Sequence, residues 1–258
     1  MRIGKTDNNF TSICESDAVS IKVRGRDLCD DIIGKIDFCS YFWLLVTGEL
    51  PNEDQLVIAN AVLTALAEHG LVPSVVAARM TYAAAPEALQ GAVAAGLLGC
   101  GSVVLGSAEV AGRFLADCVA DAARGAAPSD AAERAVRALR NDKRAIPGFG
   151  HPQHSAGDPR AARLLELAKE RGAAGQHVAM LHAVHDVLPA ILGRVLPINI
   201  NGAIPAILLD IGFPLPAMKG IALLARTAGL IGHLREESER PIGFILSAEA
   251  AAGITFKA

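Results

Sequence analysis

The segment IPGFGHPQHSAGDPRAAR gathers imidazole and guanidinium groups in a chain otherwise rich in Ala, Leu and Val. Pro147 and the glycines after it cannot continue a helix, so this segment is predicted to be a loop whose backbone groups face a ligand, with His151 at its end. Asp158 and Pro159 are types that open a helix, which places Arg160 in the first turn. A guanidinium beside the positive end of a helix suits a carboxylate or a phosphate. The alternative is an ordinary surface loop with a solvated arginine.

A second arginine, Arg226, lies within the apolar helical stretch LLARTAGLIGHLREE. A buried guanidinium without a partner is costly, so Arg226 should meet an acid that comes either from the protein, as a structural ion pair, or from a ligand. Arg240 follows the same helix, directly before a proline, and either reaches a neighbouring cleft or is solvated. Our hypothesis is that His151, Arg160, Arg226 and Arg240 converge on one pocket for a multiply charged anion.

The other chemically active residues give weaker signals. His182, His185 and Asp186 can share a helix face as metal ligands, but no Cys or carboxylate cluster supports them, and we predict no metal site. The five cysteines are scattered without a close pair, which indicates reduced and mostly buried thiols.

The elements that must position these residues are predicted to be helices. Hydrophobic residues make up 52% of the chain and aromatic ones only 4%, which favours a core of small aliphatic side chains between closely packed helices. Strand signals are confined to a few residues around Ile21 and Val23. Apolar periodicity predicts two helices between Phe38 and Gly70 and further helices near 74–84, 87–100, 103–124, 130–142, 159–171, 175–193, 201–212 and 216–236, with a short one near 245. The fold class is therefore all-α.

Several local signals mark helix ends and close packing. Asn52 and Gln55 have the capping-box spacing, Gly70 is placed as a stop, and Asp130 is predicted to open a helix. Glycines recur through residues 86–111, which predicts a central or inter-subunit packing element.

Overall charge and hydropathy exclude some functions. The net charge of −3 gives no basic field for nucleic acid or acidic lipid. No basic leader precedes an apolar run, and no stretch reaches the roughly 18 apolar residues of a membrane helix. We therefore expect a cytoplasmic protein without nucleic-acid or membrane partners.

The motifs resemble those of the citrate synthase superfamily. IPGFGHPQHSAGDPR is similar to its proline-glycine-x-glycine-histidine loop and the aspartate-proline-arginine that follows, and LLARTAGLIGHLREE and ERPIG are similar to its two arginine-bearing segments. In length the chain is closer to the short citryl-CoA lyase-like branch. The resemblance implies an all-α homodimer or higher homo-oligomer, with a large helical domain (1–142 plus 201–258) and a smaller lid domain (143–200).

The resemblance also implies roles for individual residues. The substrates would be a coenzyme A (CoA) thioester and a di- or tricarboxylate, with no bound cofactor. His151 would hydrogen-bond the carbonyl or hydroxyl oxygen of the four-carbon acid. Arg160, Arg226 and Arg240 would bind its carboxylates, Arg240 across the dimer interface. The CoA adenine would be recognised by the backbone of Ile146, Pro147 and Gly148.

Two positions depart from the family pattern. Val104 stands where citrate synthases carry a histidine, and the lyase-like branch also lacks that histidine. Asn201, in INING, stands where the family has its catalytic aspartate; an amide hydrogen-bonds but accepts no proton at neutral pH. Another acid, such as Glu109, Asp186 or Asp210, substitutes, or the chemistry differs, or the site binds without turnover.

The leading functional hypothesis is cleavage of citryl-CoA to acetyl-CoA and oxaloacetate, with His151 taking the hydroxyl proton. The alternatives are a citrate synthase-like condensation of an acyl-CoA with a 2-oxo acid, and a non-catalytic protein that binds CoA or a dicarboxylate.

Overall fold

The computed structural model describes residues 9–101, 103, 105–150 and 157–257. They form a small antiparallel sheet, which includes the strand predicted around Ile21 and Val23, followed by the helices that the composition predicts. The strands are β1 (Cys14–Ser16), β2 (Ile21–Val23) and β3 (Arg26–Asp27). The α-helices are α1 (Phe38–Thr47), α2 (Glu53–Ala67), α3 (Pro73–Ala84), α4 (Leu89–Leu98), α5 (Ser107–Ala122), α6 (Pro128–Asn141), α7 (Pro159–Glu170), α8 (Gln176–Leu192), α9 (Ile200–Asp210), α10 (Met218–Glu239) and α11 (Gly243–Ala252).

The chain divides into two compact units, Met1–Ala59 and Asn60–Ala258. The first unit contains the sheet, in the order β1-β2-β3, and helix α1. Val23 of the central strand β2 pairs with Cys14 of β1 on one side and with Arg26 of β3 on the other. Its side chain is buried with those of Ile32 and Leu44. Burying an aliphatic side chain of this size contributes about 1.5–3 kcal/mol.

Helix α2 begins with the capping box that the sequence predicts. The amide of Gln55 donates to Oδ1 of Asn52 over 2.8 Å, and the amide of Asn52 donates to Oε1 of Gln55 over 2.9 Å. Gly70, with φ of +73°, follows the end of the helix as expected. The prediction for Asp130 is wrong: α6 starts two residues earlier at Pro128, because a proline fits the first helical position without an amide to satisfy.

The second unit is built from α3 to α11 with the end of α2. Its core includes a cluster in which Val75, Ala78 and Ala92 pack against Leu230 and Leu234 of α10. Within the glycine-rich segment, a Cβ at position 96 would lie 2.8 Å from Leu230 and from the carbonyl of Ser74, so this glycine permits the close approach that was predicted. Further down the chain, α9 packs on α5, α7 and α8.

The all-α class and most of the predicted helices are confirmed. Helix α5 begins at Ser107 rather than near 103, and α10 continues to Glu239. Across the part of the chain that the structure describes, no helix combines the length and apolarity needed to cross a bilayer. The division into a large domain and a 143–200 lid stays a prediction.

Candidate functional site

The loop at 146–150 is held against the beginning of α9. Gly148 has a φ of +89°, and a Cβ on it would lie 2.7 Å from Cα of Gly202. Its carbonyl accepts the amide of Asn199 over 3.0 Å, and the amide of Gly150 donates to the carbonyl of Pro197 over 2.8 Å. Only glycines allow both the positive φ and this backbone approach. The predicted CoA-recognition segment is therefore packed directly on the helix that carries Asn201.

Asn199 fixes this junction, and the sequence analysis missed it. Its Nδ2 donates to the carbonyl of Gly150 over 2.6 Å, while its Oδ1 accepts the amides of Asn201 and Gly202 over 2.9 and 3.2 Å. It is the N-cap of α9. An asparagine directly before an apolar helical run is itself an N-cap signal, so the sequence does contain the information. One side chain thus holds the loop to the first turn of α9.

Asp158 and Arg160 form the second junction. As predicted, Asp158 caps α7 and Arg160 lies in the first turn. The carboxylate of Asp158 accepts Nε and Nη2 of Arg160 over 3.0 and 2.9 Å, and it also accepts the amide of Ile200 over 3.1 Å. Burial opposes ionisation of this carboxylate, but the bonds and charge of Arg160 outweigh burial and hold the pKa of Asp158 below its usual value. Arg160 is thereby oriented beside the start of α9.

Arg226 is a buried cation whose donors are mostly unsatisfied. Its relative exposure is 4%, and its Nη2 donates to the carbonyl of Leu66 over 3.3 Å. Neither Nε nor Nη1 meets an acceptor among the described residues. Gly229, one turn further on, lets α10 approach the end of α2 at Ala67, since a Cβ there would collide with a carbonyl oxygen. The helix contact therefore buries the guanidinium, and the described residues supply no acceptor to Nε or Nη1.

Burial and the surrounding charges shift the pKa of Arg226. Burial, the largest effect, lowers the pKa of Arg226; the charge of Glu68 opposes this, and the charge of Arg160 is a smaller effect that lowers the pKa further. An anionic ligand would supply the acceptors that Nε and Nη1 of Arg226 lack among the described residues.

Arg240 lies elsewhere within one chain. It is exposed at the end of α10, fourteen residues after Arg226, which is about 21 Å along the helix axis. One chain therefore does not bring Arg240 to Arg226, and its approach from a second subunit stays a prediction. His151 and Val104 lie outside the described residues.

The three acids considered as substitutes for the missing aspartate have different environments. Asp210 accepts the amides of Gly175 and Val178 and both the amide and Nδ1 of His177, all within 2.9 Å. This carboxylate is committed to the start of α8 and does not suit a base. Glu109 pairs with Arg113 on its own helix, and Asp186 is exposed.

The histidines considered for metal binding have other surroundings. The ring of His185 stacks on Phe149 of the 146–150 loop, with centroids 6.4 Å apart and planes 18° apart, and His182 is exposed. Among the described residues, no group of three or more His, Cys, Asp or Glu is arranged to hold a metal.

Comparisons with known proteins agree with this architecture. A family model described as citrate synthase, C-terminal domain, matches residues 56–243. Citryl-CoA lyase from Hydrogenobacter thermophilus is 31% identical over 92% of this chain and 87% of that chain, with a TM-score of 0.79. The chain belongs to the citrate synthase family. The resemblance to the short citryl-CoA lyase-like branch is also confirmed.

More distant structures share the fold. ATP citrate lyase from Methanothrix soehngenii, solved with citrate and coenzyme A, is 22% identical with a TM-score of 0.80; the match covers 99% of this chain and 42% of that chain. Citrate synthase from Thermotoga maritima is 21% identical with a TM-score of 0.66, over 80% of this chain and 55% of that chain. No curated protein sequence matches significantly.

Proposed function

We propose that this protein is a CoA-thioester carbon-carbon lyase that cleaves citryl-CoA to acetyl-CoA and oxaloacetate. The observation that carries the proposal is Arg226, because its buried Nε and Nη1 have no acceptor in the described part of the chain. Leaving such donors unsatisfied costs several kcal/mol, and an anionic ligand offsets that cost on binding. The family and the similarity to a citryl-CoA lyase support a carboxylate-bearing CoA thioester as that ligand.

In this proposal the substrate lies where the starts of α7 and α9 meet. Arg160 and Arg226 bind carboxylates, and Asp158 orients Arg160 through two hydrogen bonds. The backbone of Ile146, Pro147 and Gly148 binds the adenine of CoA. The lid, residues 143–200, closes over both substrate parts and excludes water.

Cleavage follows a retro-aldol route. His151 takes the proton of the citryl hydroxyl group, the electrons of that O–H bond form the carbonyl of oxaloacetate, and the carbon-carbon bond breaks. Its electron pair passes to the acetyl thioester as an enolate, which a proton from water or a protonated group converts to acetyl-CoA. Asn201 donates a hydrogen bond there, because an amide holds developing negative charge without accepting a proton. The reaction needs no resident cofactor or metal.

A homodimer in the cytoplasm completes the proposal, with Arg240 of each chain in the site of the other. Large apolar side chains on α4 and α11 support an interface: Leu98 is 87% exposed, Phe244 is 69% exposed and Ile245 is 57% exposed. Each of these side chains leaves apolar surface in water, so its burial against a second copy would stabilise the chain.

A second candidate is a non-catalytic protein that binds CoA or a dicarboxylate, which Asn201 favours. The purified protein should be assayed with citryl-CoA and, in reverse, with acetyl-CoA and oxaloacetate. Cleavage supports the lyase; faster condensation than cleavage would favour the citrate synthase-like alternative. Absence of turnover in both directions, with CoA still bound, would support the binding protein.

Arg226→Met tests the anion site. Removing a charged donor from a buried site costs about 1.5–3 kcal/mol, so we expect oxaloacetate to inhibit roughly 10–100-fold more weakly while acetyl-CoA inhibits as before. The unliganded variant should be as stable as the parent or more stable, because it no longer buries an unpaired charge. Arg235→Met, on the exposed face of the same helix, is the matched control. Equal weakening of both inhibitors would count against the assignment.

His151→Ala tests the proposed base. Loss of a general base lowers kcat by about 100-fold or more. An activity within twofold of the parent would show that His151 is not the base, and this result does not depend on the roles of the arginines.

A further inference from the structure

Arg79 on α3 is buried and has four polar partners, although nothing in the sequence singles it out. Its relative exposure is 2%. Nε donates to Oε2 of Glu237 over 2.6 Å, and Nη1 donates to Oε2 of Glu236 over 2.8 Å and lies 3.4 Å from Nδ1 of His233. Nη2 donates to the backbone carbonyl of Arg240 over 3.3 Å. The guanidinium thus connects α3 to the last turn of α10 and to the residue after it.

Glu237 holds the other side of the same turn. Its Oε1 accepts the amides of Ile242 and Gly243 over 2.9 and 2.7 Å, while its Oε2 is bound by Arg79. Gly243 also fits closely against α3, since a Cβ there would lie 2.5 Å from Cβ of Ala83. The turn between α10 and α11, which carries Arg240, is therefore fixed at its start, by Arg79, and at its end, by Glu237.

We propose that Arg79 is a positioning residue that sets the direction in which Arg240 leaves α10 and so determines its reach to the carboxylate substrate. This inference rests on the proposed function, in which Arg240 binds a carboxylate. Arg79 binds the backbone carbonyl of Arg240, and the side chain of Arg240 is exposed. A substitution at position 79 would therefore change ligand binding by moving the guanidinium of Arg240. Pro241 restricts the same residue further, because the position before a proline avoids the helical region.

Stability alone is a poor explanation for this arrangement. A buried ion pair is often no more stable than apolar residues of similar volume, since both charges lose their hydration. The pair does fix geometry, because the planar guanidinium presents its donors in set directions. Here those directions are used on three acceptor groups in one segment: the carboxylates of Glu236 and Glu237 and the carbonyl of Arg240.

The test is a double-mutant cycle of Arg79→Lys and Arg240→Ala in the full chain. Lysine keeps the charge and can pair with Glu237, but it cannot bind all three acceptor groups in the fork geometry. Product inhibition of citryl-CoA cleavage is measured separately for oxaloacetate and for acetyl-CoA. We expect Arg79→Lys to weaken inhibition by oxaloacetate roughly tenfold, with acetyl-CoA unchanged, and to have less than about a twofold effect when Arg240 is already alanine.

Three outcomes overturn the inference and differ from one another. Equal effects of Arg79→Lys with and without the Arg240 side chain would show that position 79 acts only on the fold. No effect of Arg240→Ala on oxaloacetate would remove Arg240 from the site while the lyase activity stands. No cleavage by the parent protein would refute the proposed function itself.

Two further variants keep the cycle decisive. Glu236→Gln is the matched control, because Glu236 binds Arg79 but contacts neither Ile242 nor Gly243; inhibition by oxaloacetate should change less than about twofold. If Arg79→Lys does not fold, Glu237→Gln replaces it in the same cycle, since the amide retains an acceptor for the turn and loses the charge that pairs with Arg79.

Discussion

Gly202 on α9 gives the sharpest test of how the loop and the helix position the site. A Cβ at this position would lie 2.5 Å from the carbonyl oxygen of Gly148 and 3.0 Å from its Cα. Ordinary contact begins near 3.4 Å. The loop would have to withdraw by about 0.9 Å, and misplacing a binding group by about 1 Å lowers activity as much as 100-fold.

The stability change follows from two opposing effects. Overpacking a close contact costs about 1–3 kcal/mol, and replacing a helical glycine with alanine returns about 1 kcal/mol. We therefore expect Gly202→Ala to lower the free energy of unfolding by as much as about 2 kcal/mol and to weaken CoA at least tenfold. Chemical denaturation measures the first quantity and titration with CoA measures the second.

Gly220→Ala is the matched control. Gly220 is also within a helix, α10, but a Cβ there would meet no heavy atom within 4 Å. Its substitution should stabilise the protein by up to about 1 kcal/mol and leave CoA binding unchanged. If Gly202→Ala bound CoA within twofold of the parent, the loop would not depend on this contact and our placement of the CoA segment would be wrong.

Three further predictions follow from individual side chains. Asn199→Ala removes the donor to the carbonyl of Gly150 and the N-cap of α9, so we expect the affinity for CoA to fall. The free energy of unfolding, measured by denaturant titration, should fall by about 1 kcal/mol or more. Burial opposes ionisation of Asp210, but the hydrogen bonds that its carboxylate accepts lower its pKa below the usual value of 3.8. The ionised carboxylate therefore stabilises the fold fully above about pH 3.8, and this stabilisation is lost as the pH falls through the lowered pKa. Asp210→Asn should flatten the acid part of the stability curve measured by thermal unfolding. Burial raises the pKa of Cys118 to about 12, and burial together with the charge of Asp37 raises the pKa of Cys39 to about 11. A thiol reagent at neutral pH should therefore modify the two exposed cysteines of the folded chain, which mass spectrometry can show. Modification of Cys39 or Cys118 would contradict this.

The local elements could be predicted because their causes lie within a few residues. The capping box of α2 connects Asn52 and Gln55 across three positions, and the cap of α7 connects Asp158 with Arg160 across two. Hydrogen bonds of this kind form whenever the backbone turns into a helix, whatever the rest of the chain does. For the same reason the loop at 146–150 and the arginine in the first turn of α7 can be predicted from the sequence.

Other features of the site have no local cause. The sequence predicts that Arg226 is buried, but it leaves open whether a protein acid or a ligand meets it. The structure shows that α10 buries Arg226 against the end of α2 and that, among the described residues, Nε and Nη1 have no acceptor. The sequence also predicts a convergence of Arg160, Arg226 and Arg240, whereas Arg240 lies fourteen residues beyond Arg226 along the same helix and does not reach it within one chain.

The sequence by itself determined the helices, their caps, the glycine loop and the family motifs, because these depend on side-chain type, on apolar periodicity and on hydrogen bonds between near neighbours. Only the tertiary structure decided which polar groups from distant parts of the chain meet. Arg79 and Glu237 are 158 residues apart, and Asn199 lies 49 residues from the carbonyl that it holds. Such partners are chosen by helix packing, which depends on the shape of the whole core and not on any short stretch of chain.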